Sequence, residues 1–349
     1  MAITYHAGRR IQGTSTDVAP IQGGWKEVAR TTLGSNTSTI DVSSLTDKRY
    51  YMILSSFRMA TGGNPYVRLN TDTGNFYNQR YGINGGDSTF QTGRGRYGWV
   101  AGINTLPYFH VDFAANIATK EKLLIGNTVH QNTAGAGNAP NRGTGTWKHS
   151  QTSNPITSVN HWDNSGGDFA SGSECVVLGY DPDDTHTDNF WEELASVSGD
   201  GTSTTLNSGT ITAKKYLWFQ VYGSVASQMD NMGWQFNSDT GSNYARRISL
   251  NGGTDGTSAS QTYIRLGGGV AAGGSLFGSG FIINNSANEK LLTSHWVRNK
   301  TAGAGTVPER FETTGKWANT SSQITSLQFI HGGSSNWDSD SIIKVWGSN

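Results

Sequence analysis

The chain has 349 residues, and its 26 basic and 26 acidic side chains give a formal net charge of zero. This balance provides no positive field for a polyanion, which excludes nucleic acid as the main partner. Glycine is abundant at 46 residues, and Ser, Thr and Asn are frequent, a mixture that disfavours helix interiors and suits short strands joined by turns. The 11 Trp, 13 Tyr and 13 Phe supply enough apolar area to exclude disorder.

Residues 1–24, MAITYHAGRRIQGTSTDVAPIQGG, have no counterpart later in the chain and are predicted to form an N-terminal arm. The arm would lie on the surface or dock onto a neighbouring subunit. The sequence shows no apolar signal-peptide core and no apolar run long enough to span a membrane. Cys175 is the single cysteine and is expected to be a buried thiol without a disulfide. Together these features predict a virion protein made in the host cytoplasm and extracellular after release.

The stretch NTDTGNFYNQRYGINGG at 70–86 recurs as NSDTGSNYARRISLNGG at 237–253, and this repeat organises the chain. WKEVA at 25–29 also matches WEELA at 191–195, and EKLL and TAGAG each occur twice at a similar offset. The repeats predict two modules at 25–180 and 191–349, joined by a solvated acidic linker at 181–190. The expected fold is all-β, with two tandem antiparallel β-sandwich modules of jelly-roll type and about eight strands each.

The repeated stretch contains two sets of turn residues. Asp72-Thr73-Gly74 predicts a turn in which glycine supplies a positive φ and Asp72 pairs with Arg80, while Asn84-Gly85 is a hairpin dipeptide. One interpretation is a purely structural hairpin, which backbone geometry alone explains. The other is an edge where side chains meet a sugar or a subunit, and its ligand- or subunit-contact candidates are Tyr77, Arg80, Tyr244 and Arg247.

Tryptophans divide into shared and unshared positions. Trp25 and Trp191 are equivalent, as are Phe169 and Trp337, which predicts sandwich-core residues. Four tryptophans have no equivalent in the other copy and lie near Asn, Gly, Asp or His. Aromatic rings beside amides are used at carbohydrate and subunit interfaces. These four complete the set of contact candidates: Trp99, Trp162, Trp234 and Trp296.

No catalytic residue, metal site or cofactor is predicted. The two DTG triplets match the aspartic-protease triplet in letters only, because they follow Asn-Thr or Asn-Ser instead of an apolar strand. The eight histidines lack metal-ligand spacing, and no GxSxG nucleophile elbow with a credible triad is present. Recurrent glutamates at 27 and 193, and at 121 and 289, lie beside lysines, which favours ion pairs on strand faces. The chain is therefore not expected to be an enzyme.

Several motifs carry a resemblance: MAITYHAGRRIQG, TDKRYYMIL, DTGSNYARR, NGGTDGT, KWANTS and the terminal IIKVWGS. With these motifs the chain resembles, nearly end to end, uncharacterised structural-type proteins of uncultured marine viruses and environmental sequences. The resemblance implies a virion or surface structural protein and transfers no catalytic residue.

The expected function is a viral structural protein, either a tail-fibre or spike component or a capsid-decoration component. It would form an external assembly with identical subunits or other virion proteins and contact glycans of the host surface. Two alternatives stay open: a soluble lectin-like carbohydrate-binding protein, and a polysaccharide-degrading enzyme with two carboxylates facing one groove.

Overall fold

The computed structural model describes residues 21–22, 24–92, 105–182, 184–186, 188–299, 304–333 and 335–349. Throughout these ranges the chain forms strands, turns and bends and no helix, which confirms the all-β prediction. No helix that could cross a bilayer occurs in the described residues. Residues 1–20 of the predicted arm and the contact candidate Trp99 lie outside them.

The first module and the arm end contain twelve strands in the described residues: β1 (Ile21–Gln22), β2 (Lys26–Thr32), β3 (Thr39–Val42), β4 (Tyr50–Phe57), β5 (Pro65–Leu69), β6 (Tyr77–Ile83), β7 (Gly86–Thr92), β8 (Tyr108–Ala115), β9 (Lys122–His130), β10 (Asn141–His149), β11 (Val159–Asp163) and β12 (Glu174–Tyr180). Strands β2 to β12 form one sandwich. Its large sheet has the order β2-β12-β4-β8-β9-β10-β6-β7, and its small sheet has the order β3-β11-β5. All pairings are antiparallel.

The linker and second module contribute thirteen more: β13 (Thr185–His186), β14 (Glu192–Ser198), β15 (Thr205–Asn207), β16 (Tyr216–Ser224), β17 (Gly233–Phe236), β18 (Tyr244–Leu250), β19 (Gly256–Gln261), β20 (Ile264–Arg265), β21 (Ser275–Ile283), β22 (Lys290–Asn299), β23 (Glu309–Trp317), β24 (Leu327–Ile330) and β25 (Ile342–Ser348). The large sheet is β14-β25-β16-β21-β22-β23-β18-β19 and the small sheet is β15-β24-β17-β20. The linker strand β13 pairs with β1.

The two sandwiches share one topology. In each, the first strand pairs with the last in the large sheet, and the second pairs with the next-to-last in the small sheet. The first and last strands of each module thus alternate between the two sheets, as in a jelly roll, whereas β6 to β10 and β21 to β23 all lie in the large sheets. Each module has more strands than the eight or so predicted, because the short strands of the small sheets, such as β3 and β15, give too few residues for an alternating pattern.

Three apolar cores hold the molecule together. One fills each sandwich and contains the predicted pair Phe169 and Trp337. The third lies between the modules, where the outer faces of the two large sheets pack on each other. Trp191 belongs to this third core and Trp25 packs against it, which corrects their predicted place inside the sandwiches. The molecule is therefore four sheets deep, with the large sheets in the middle.

Candidate functional site

The repeated hairpins begin with two residues in left-handed backbone conformation. Asn70 and Thr71 have φ values of 56° and 53°, and Asn237 and Ser238 have 51° and 54°. Gly74 does not have the predicted positive φ; a Cβ there would instead strike the Phe76 ring. The predicted Asn-Gly hairpin turn is confirmed at its position, since both of its residues have positive φ in each copy.

Tyr77 and Tyr244 occupy equivalent buried positions at the start of these strands. The Tyr77 hydroxyl accepts a hydrogen bond from Leu69 N at 3.0 Å and lies within 3.3 Å of the carbonyl oxygens of Leu69 and Asp72. Tyr244 makes the same three contacts in its own module. Burial raises the pKa of both phenols, so they stay protonated donors. Buried and saturated with backbone contacts, both tyrosines have a structural role, which argues against the predicted contact role.

The turn aspartates do not pair with arginine as predicted. Asp72 accepts a hydrogen bond from Gly74 N at 3.1 Å, and its other oxygen lies 3.1 Å from His149 Nε2. Asp239 accepts from the Trp317 indole at 2.7 Å. Burial alone would raise the pKa of Asp239, but hydrogen bonds from Trp317, Asn243 and the turn amide lower it. Each aspartate therefore connects its turn to a ring on the strand paired with its hairpin: the His149 imidazole on β10 or the Trp317 indole on β23.

The two equivalent arginines have separate environments. Arg80 is exposed and pairs across the hairpin with Asp87, at 2.5 Å between Nη2 and Oδ2. Arg247 is half-buried and donates from Nε to the Pro140 carbonyl of the first module at 3.0 Å. One arginine remains on the solvent side, and the other contacts the neighbouring module. Arg247 thus makes a contact between modules, although within one chain.

The unshared tryptophans are mostly core residues. Trp234 and Trp296 are almost fully buried among the aromatic rings of the second sandwich, which argues against their predicted contact role. Trp162 is half-buried on the small sheet of the first module, where it stacks on Tyr66 at 5.6 Å between centroids. The Arg68 guanidinium lies 3.9 Å above its ring. Trp162 is therefore the one described tryptophan of the four with a partly open ring.

A trio of buried polar side chains in the first sandwich was missed by sequence reasoning. The Thr128 hydroxyl lies 2.6 Å from His110 Nδ1, and His110 Nε2 lies 2.8 Å from the Asp112 carboxylate. Hydroxyl, imidazole and carboxylate in that order are the parts of an activated nucleophile. All three side chains are buried, however, so no substrate reaches the hydroxyl. The detectable signal was the HVD spacing, which places His110 and Asp112 on the same face of a strand.

The same trio explains how two copies of one fold fill their cores differently. In the second copy the strand pairings place Gly278, Gly280 and Trp296 where the first has His110, Asp112 and Thr128. A Cβ on Gly278 would strike the Trp296 ring, so the indole takes the space that the polar trio takes in the first core. The trio is a packing solution in which buried polar groups contact each other. Across the described part of the chain, no three His, Cys, Asp or Glu side chains form a metal-binding group.

Charged groups converge where the modules meet. Arg142 of the first module contacts Asp255 at 2.8 Å and Glu312 at 2.7 Å, and Arg142 and Asp255 are almost completely buried. Close by, Asn127 Oδ1 lies 2.6 Å from His295 Nε2. Both carboxylates accept hydrogen bonds from the same guanidinium, which holds them in place across the junction. The carboxylates are therefore structural in this conformation.

A loop of the first module also docks onto the second. Gly135 N donates to the Glu289 carboxylate at 2.5 Å, and the Thr133 carbonyl accepts from Lys316 Nζ at 2.5 Å. The Ala136 carbonyl accepts from Ser260 N at 2.8 Å. This is the TAGAG motif found in the sequence twice. In the second module the described part of the same motif, residues 304–305, is exposed to solvent.

Equivalent positions on the two outer sheet faces differ sharply in burial. Some pairs are buried in the first module and exposed in the second, such as Phe109 with Phe277 and Val129 with Val297. The opposite holds for others: Tyr50 (38% exposed) with Tyr216 (1%), Leu123 (57%) with Leu291 (0%), and Ile125 (58%) with Thr293 (5%). The equivalences follow from the matching strand registers. The packed half of one face therefore lies opposite the packed half of the other. We name this part of the interface the closed side, and the part where both faces are exposed the open side.

Contacts between equivalent residues indicate an approximate twofold axis between the modules, which the packing breaks, because the axis would exchange the closed and open sides. The equivalent residues Phe113 and Phe281 lie 6.1 Å apart, and the equivalent residues Asn127 and His295 touch, as expected close to such an axis. A cleft of about 430 Å³ leads from there to the open side, and Ile125 and Arg310 line it from opposite modules. The sheets therefore pack at one end and diverge at the other.

The first module's wall of the open side carries an apolar groove. It has a volume of about 470 Å³ and an almost entirely apolar lining that includes Trp25, Tyr50, Phe113, Leu123, Ile125 and Tyr180. The groove continues into a more polar depression beside Arg80 and Lys148. Exposed Leu and Ile side chains next to aromatic rings are typical of a surface that another chain segment covers.

Comparisons with known proteins assign no family. No protein-family profile matches the sequence, and no curated protein matches it. Among solved structures, the chain is similar to the crystal structure of Neisserial surface protein A (NspA), with 8% sequence identity over 82% of this chain and 99% of that chain and a TM-score of 0.11. A likeness of that size carries no conclusion about fold or function.

Proposed function

We propose that the chain is a structural building block of an external assembly of the virion type, as a tail-fibre, spike or capsid-decoration component. The observation that carries the proposal is the third apolar core, because it joins two sandwiches into one rigid block. The buried contacts of Arg142 with Asp255 and Glu312 add directional constraints to that core. A rigid block with loops at its sheet ends suits an array that presents those loops to its surroundings.

The proposed partners are identical subunits or other virion proteins, together with glycans of a host surface. Weak individual sites would be sufficient in such an array, because simultaneous engagement multiplies affinity. Among the contact candidates that the structure describes in the first module, Trp162 with its stacked guanidinium and Arg80 at its hairpin are open enough for contact. Stacking of a sugar on the Trp162 ring is the interaction that this arrangement would offer.

The test of the assembly is the mass of the full-length chain in solution. Light scattering after size-exclusion chromatography should give a mass above that of one 37.5 kDa chain as concentration rises. Electron microscopy of native particles should then show the block at regular positions. A chain that stays monomeric at every concentration and is missing from particles would overturn the proposal.

A glycan array separates the assembly hypothesis from the lectin-like alternative. Binding by isolated monomers would favour the soluble lectin, whereas binding seen only with multimers supports surface display. The matched variant is Trp162→Ala, and it should abolish any binding that uses the Trp162 ring. Hydrolysis of a polysaccharide by the chain would instead favour the enzyme alternative.

A further inference from the structure

Two arginines of the second module lie close together without a carboxylate partner in the residues that the structure describes. Arg246 is on β18 and Arg265 is on β20, and the Nε atoms of both are enclosed and lack a hydrogen-bond acceptor there. Nη1 of Arg246 is enclosed and unpaired in the same way. The ion pairs in the described part of this module belong to other cations, such as Arg298 and Lys344. Because buried donors in proteins are normally hydrogen-bonded, this arrangement requires an explanation.

Strand β20 brings the two arginines together by crossing close over the large sheet. In the ladder between β18 and β23, Arg246 is paired with Gly315, and a Cβ on Gly315 would strike the Ile264 side chain of β20. Arg265 follows Ile264 directly and is paired with Gly233 of β17, where a Cβ would strike the β20 backbone. Glycine at both positions permits this close approach. The two arginines are therefore held on strands of both sheets.

The two guanidiniums repel each other. Burial, with a further contribution from the Arg265 guanidinium, lowers the pKa of Arg246 to about 10, while Tyr263 opposes the change. Burial raises the pKa of the Tyr263 phenol although both arginines act to lower it, so its hydroxyl stays a donor at neutral pH. Three donor groups and two positive charges therefore lie together, and an anion bound to them would relieve the repulsion.

Elsewhere in the molecule, a buried arginine is neutralised by carboxylates: Arg142 is paired with Asp255 and Glu312. The first module shows in addition that the fold does not require a charge at the position of Arg246, because the equivalent residue of the repeat is Gln79. A partly buried charge without a counter-charge is costly, and the repeated fold has a neutral alternative. A negatively charged ligand therefore explains the two arginines better than folding does.

We propose that Arg246, Arg265 and Tyr263 bind a small oxyanion: a sulfate, phosphate or carboxylate group, either free or carried by a larger molecule. Since Nε and Nη1 of Arg246 are enclosed, the ligand would accept hydrogen bonds from its Nη2, from the Nη atoms of Arg265 and from the Tyr263 hydroxyl. Planar guanidinium groups donate paired hydrogen bonds that match the spacing of such oxygens. All three side chains belong to the second module, so the inference does not depend on the proposed assembly.

The first experiment is calorimetric titration of the full chain with sodium sulfate, sodium phosphate and sodium acetate. Arg246→Gln, which introduces the residue of the first module, should weaken binding by about tenfold or more, a change that corresponds to 1.4 kcal/mol. The control is Lys344→Gln, because it removes a positive charge of the same module whose side chain is 38% exposed, and it should keep the wild-type affinity. Equal affinity in the wild type and Arg246→Gln would overturn the proposal, as would a wild type that binds none of the three anions.

Thermal unfolding separates a ligand-binding arginine from a structural one. Without an oxyanion, Arg246→Gln should unfold at a higher temperature than the wild type, because it removes a partly buried charge that has no counter-charge. Sulfate should then raise the Tm of the wild type and of Lys344→Gln until the site is saturated. In Arg246→Gln it should have only the gradual effect that sulfate has on proteins in general. The same rise in all three proteins would contradict a specific site.

The position and the source of the anion need two further measurements. In crystals of the full chain soaked with selenate, anomalous scattering should place selenium beside the guanidiniums of Arg246 and Arg265, and selenium found only elsewhere would refute the assignment. Galactose 6-sulfate is then compared with free sulfate and with galactose. Tighter binding of the sulfated sugar than of sulfate would support an acidic glycan as the source, and equal binding would support the free ion.

Discussion

At the scale of single residues, the most informative side chains are the buried tyrosines of the repeated hairpin. The Tyr244 hydroxyl contacts one amide and two carbonyls of the preceding turn, and Tyr77 reproduces these contacts in its own module. Because a phenol both donates and accepts, one atom satisfies several backbone groups that would otherwise be buried unpaired. The tyrosine side chain thus stabilises the hairpin in addition to the backbone hydrogen bonds between its strands.

Removal of that hydroxyl tests this role. Tyr244→Phe should lower the free energy of unfolding by about 1–3 kcal/mol, because it leaves the Phe236 amide buried without its partner. Urea denaturation followed by tryptophan fluorescence gives the value. The matched control is Tyr222→Phe, since that side chain is 37% exposed and water can replace its contacts. Equal losses in the two variants would show that the Tyr244 contacts contribute nothing specific.

At the scale of strands, the two sandwiches differ in core chemistry. The strand β11 brings His161 into the first core, 3.2 Å from the Ser55 hydroxyl, whereas the equivalent strand β24 brings Phe329. Burial lowers the pKa of His161 to about 3 and that of His130 to about 4. Both imidazoles are therefore neutral in the folded chain at neutral pH.

The lowered pKa values of these two histidines predict that the first module is less stable in acid. Below the ordinary histidine pKa near 6.5, these imidazoles bind protons in the unfolded chain but stay neutral in the folded chain. The free energy of unfolding therefore falls as pH drops from about 6.5 toward about 4. The loss per histidine is about 1.4 kcal/mol for each pH unit in that window. His161→Phe should flatten the slope of unfolding free energy against pH between 6.5 and 4 and leave the slope from 7 to 8 unchanged. An unaltered slope would contradict the assignment.

At the scale of the whole molecule, two sandwiches are joined by packing and by a buried cluster of charges. Arg142 lies between Asp255 and Glu312, and Asp255 is 1% exposed. A buried carboxylate that loses its paired guanidinium is costly, even where the intact pair adds little to stability. The cluster therefore fixes the relative position of the modules more than it strengthens either one.

The prediction at this scale compares two arginines. Arg142→Met should lower the free energy of unfolding by about 3–5 kcal/mol, because it leaves Asp255 buried without its guanidinium. Arg80→Met removes an exposed pair with Asp87 and should change stability by less than about 1 kcal/mol. Calorimetry of both variants is sufficient. Similar effects at the two sites would mean that the cluster does not constrain the modules.

Sequence reasoning reached the fold class, the duplication and the Asn84-Gly85 turn because each has a local or periodic signal. It did not predict which side chains are buried by contact with the other module. Leu123 and Leu291 are the same residue in the same EKLL motif, yet one is exposed and the other buried, since different surfaces lie opposite them. Trp234 is buried although polar residues lie near it in the sequence, because Gln235 points to the other face of the strand.

Because the third core joins the two modules, we expect them to stay together when the linker between them is cut. A specific protease site inserted at the linker, residues 181–190, would cut the backbone and leave Phe109 and Val129 still packed on the second half. After digestion the two fragments should co-elute as one particle and separate only in denaturant. Either half produced by itself should aggregate, because it would carry an uncovered apolar sheet. Although it is encoded as one polypeptide, the intact molecule would thus correspond to a heterodimer whose two subunits are joined by a linker.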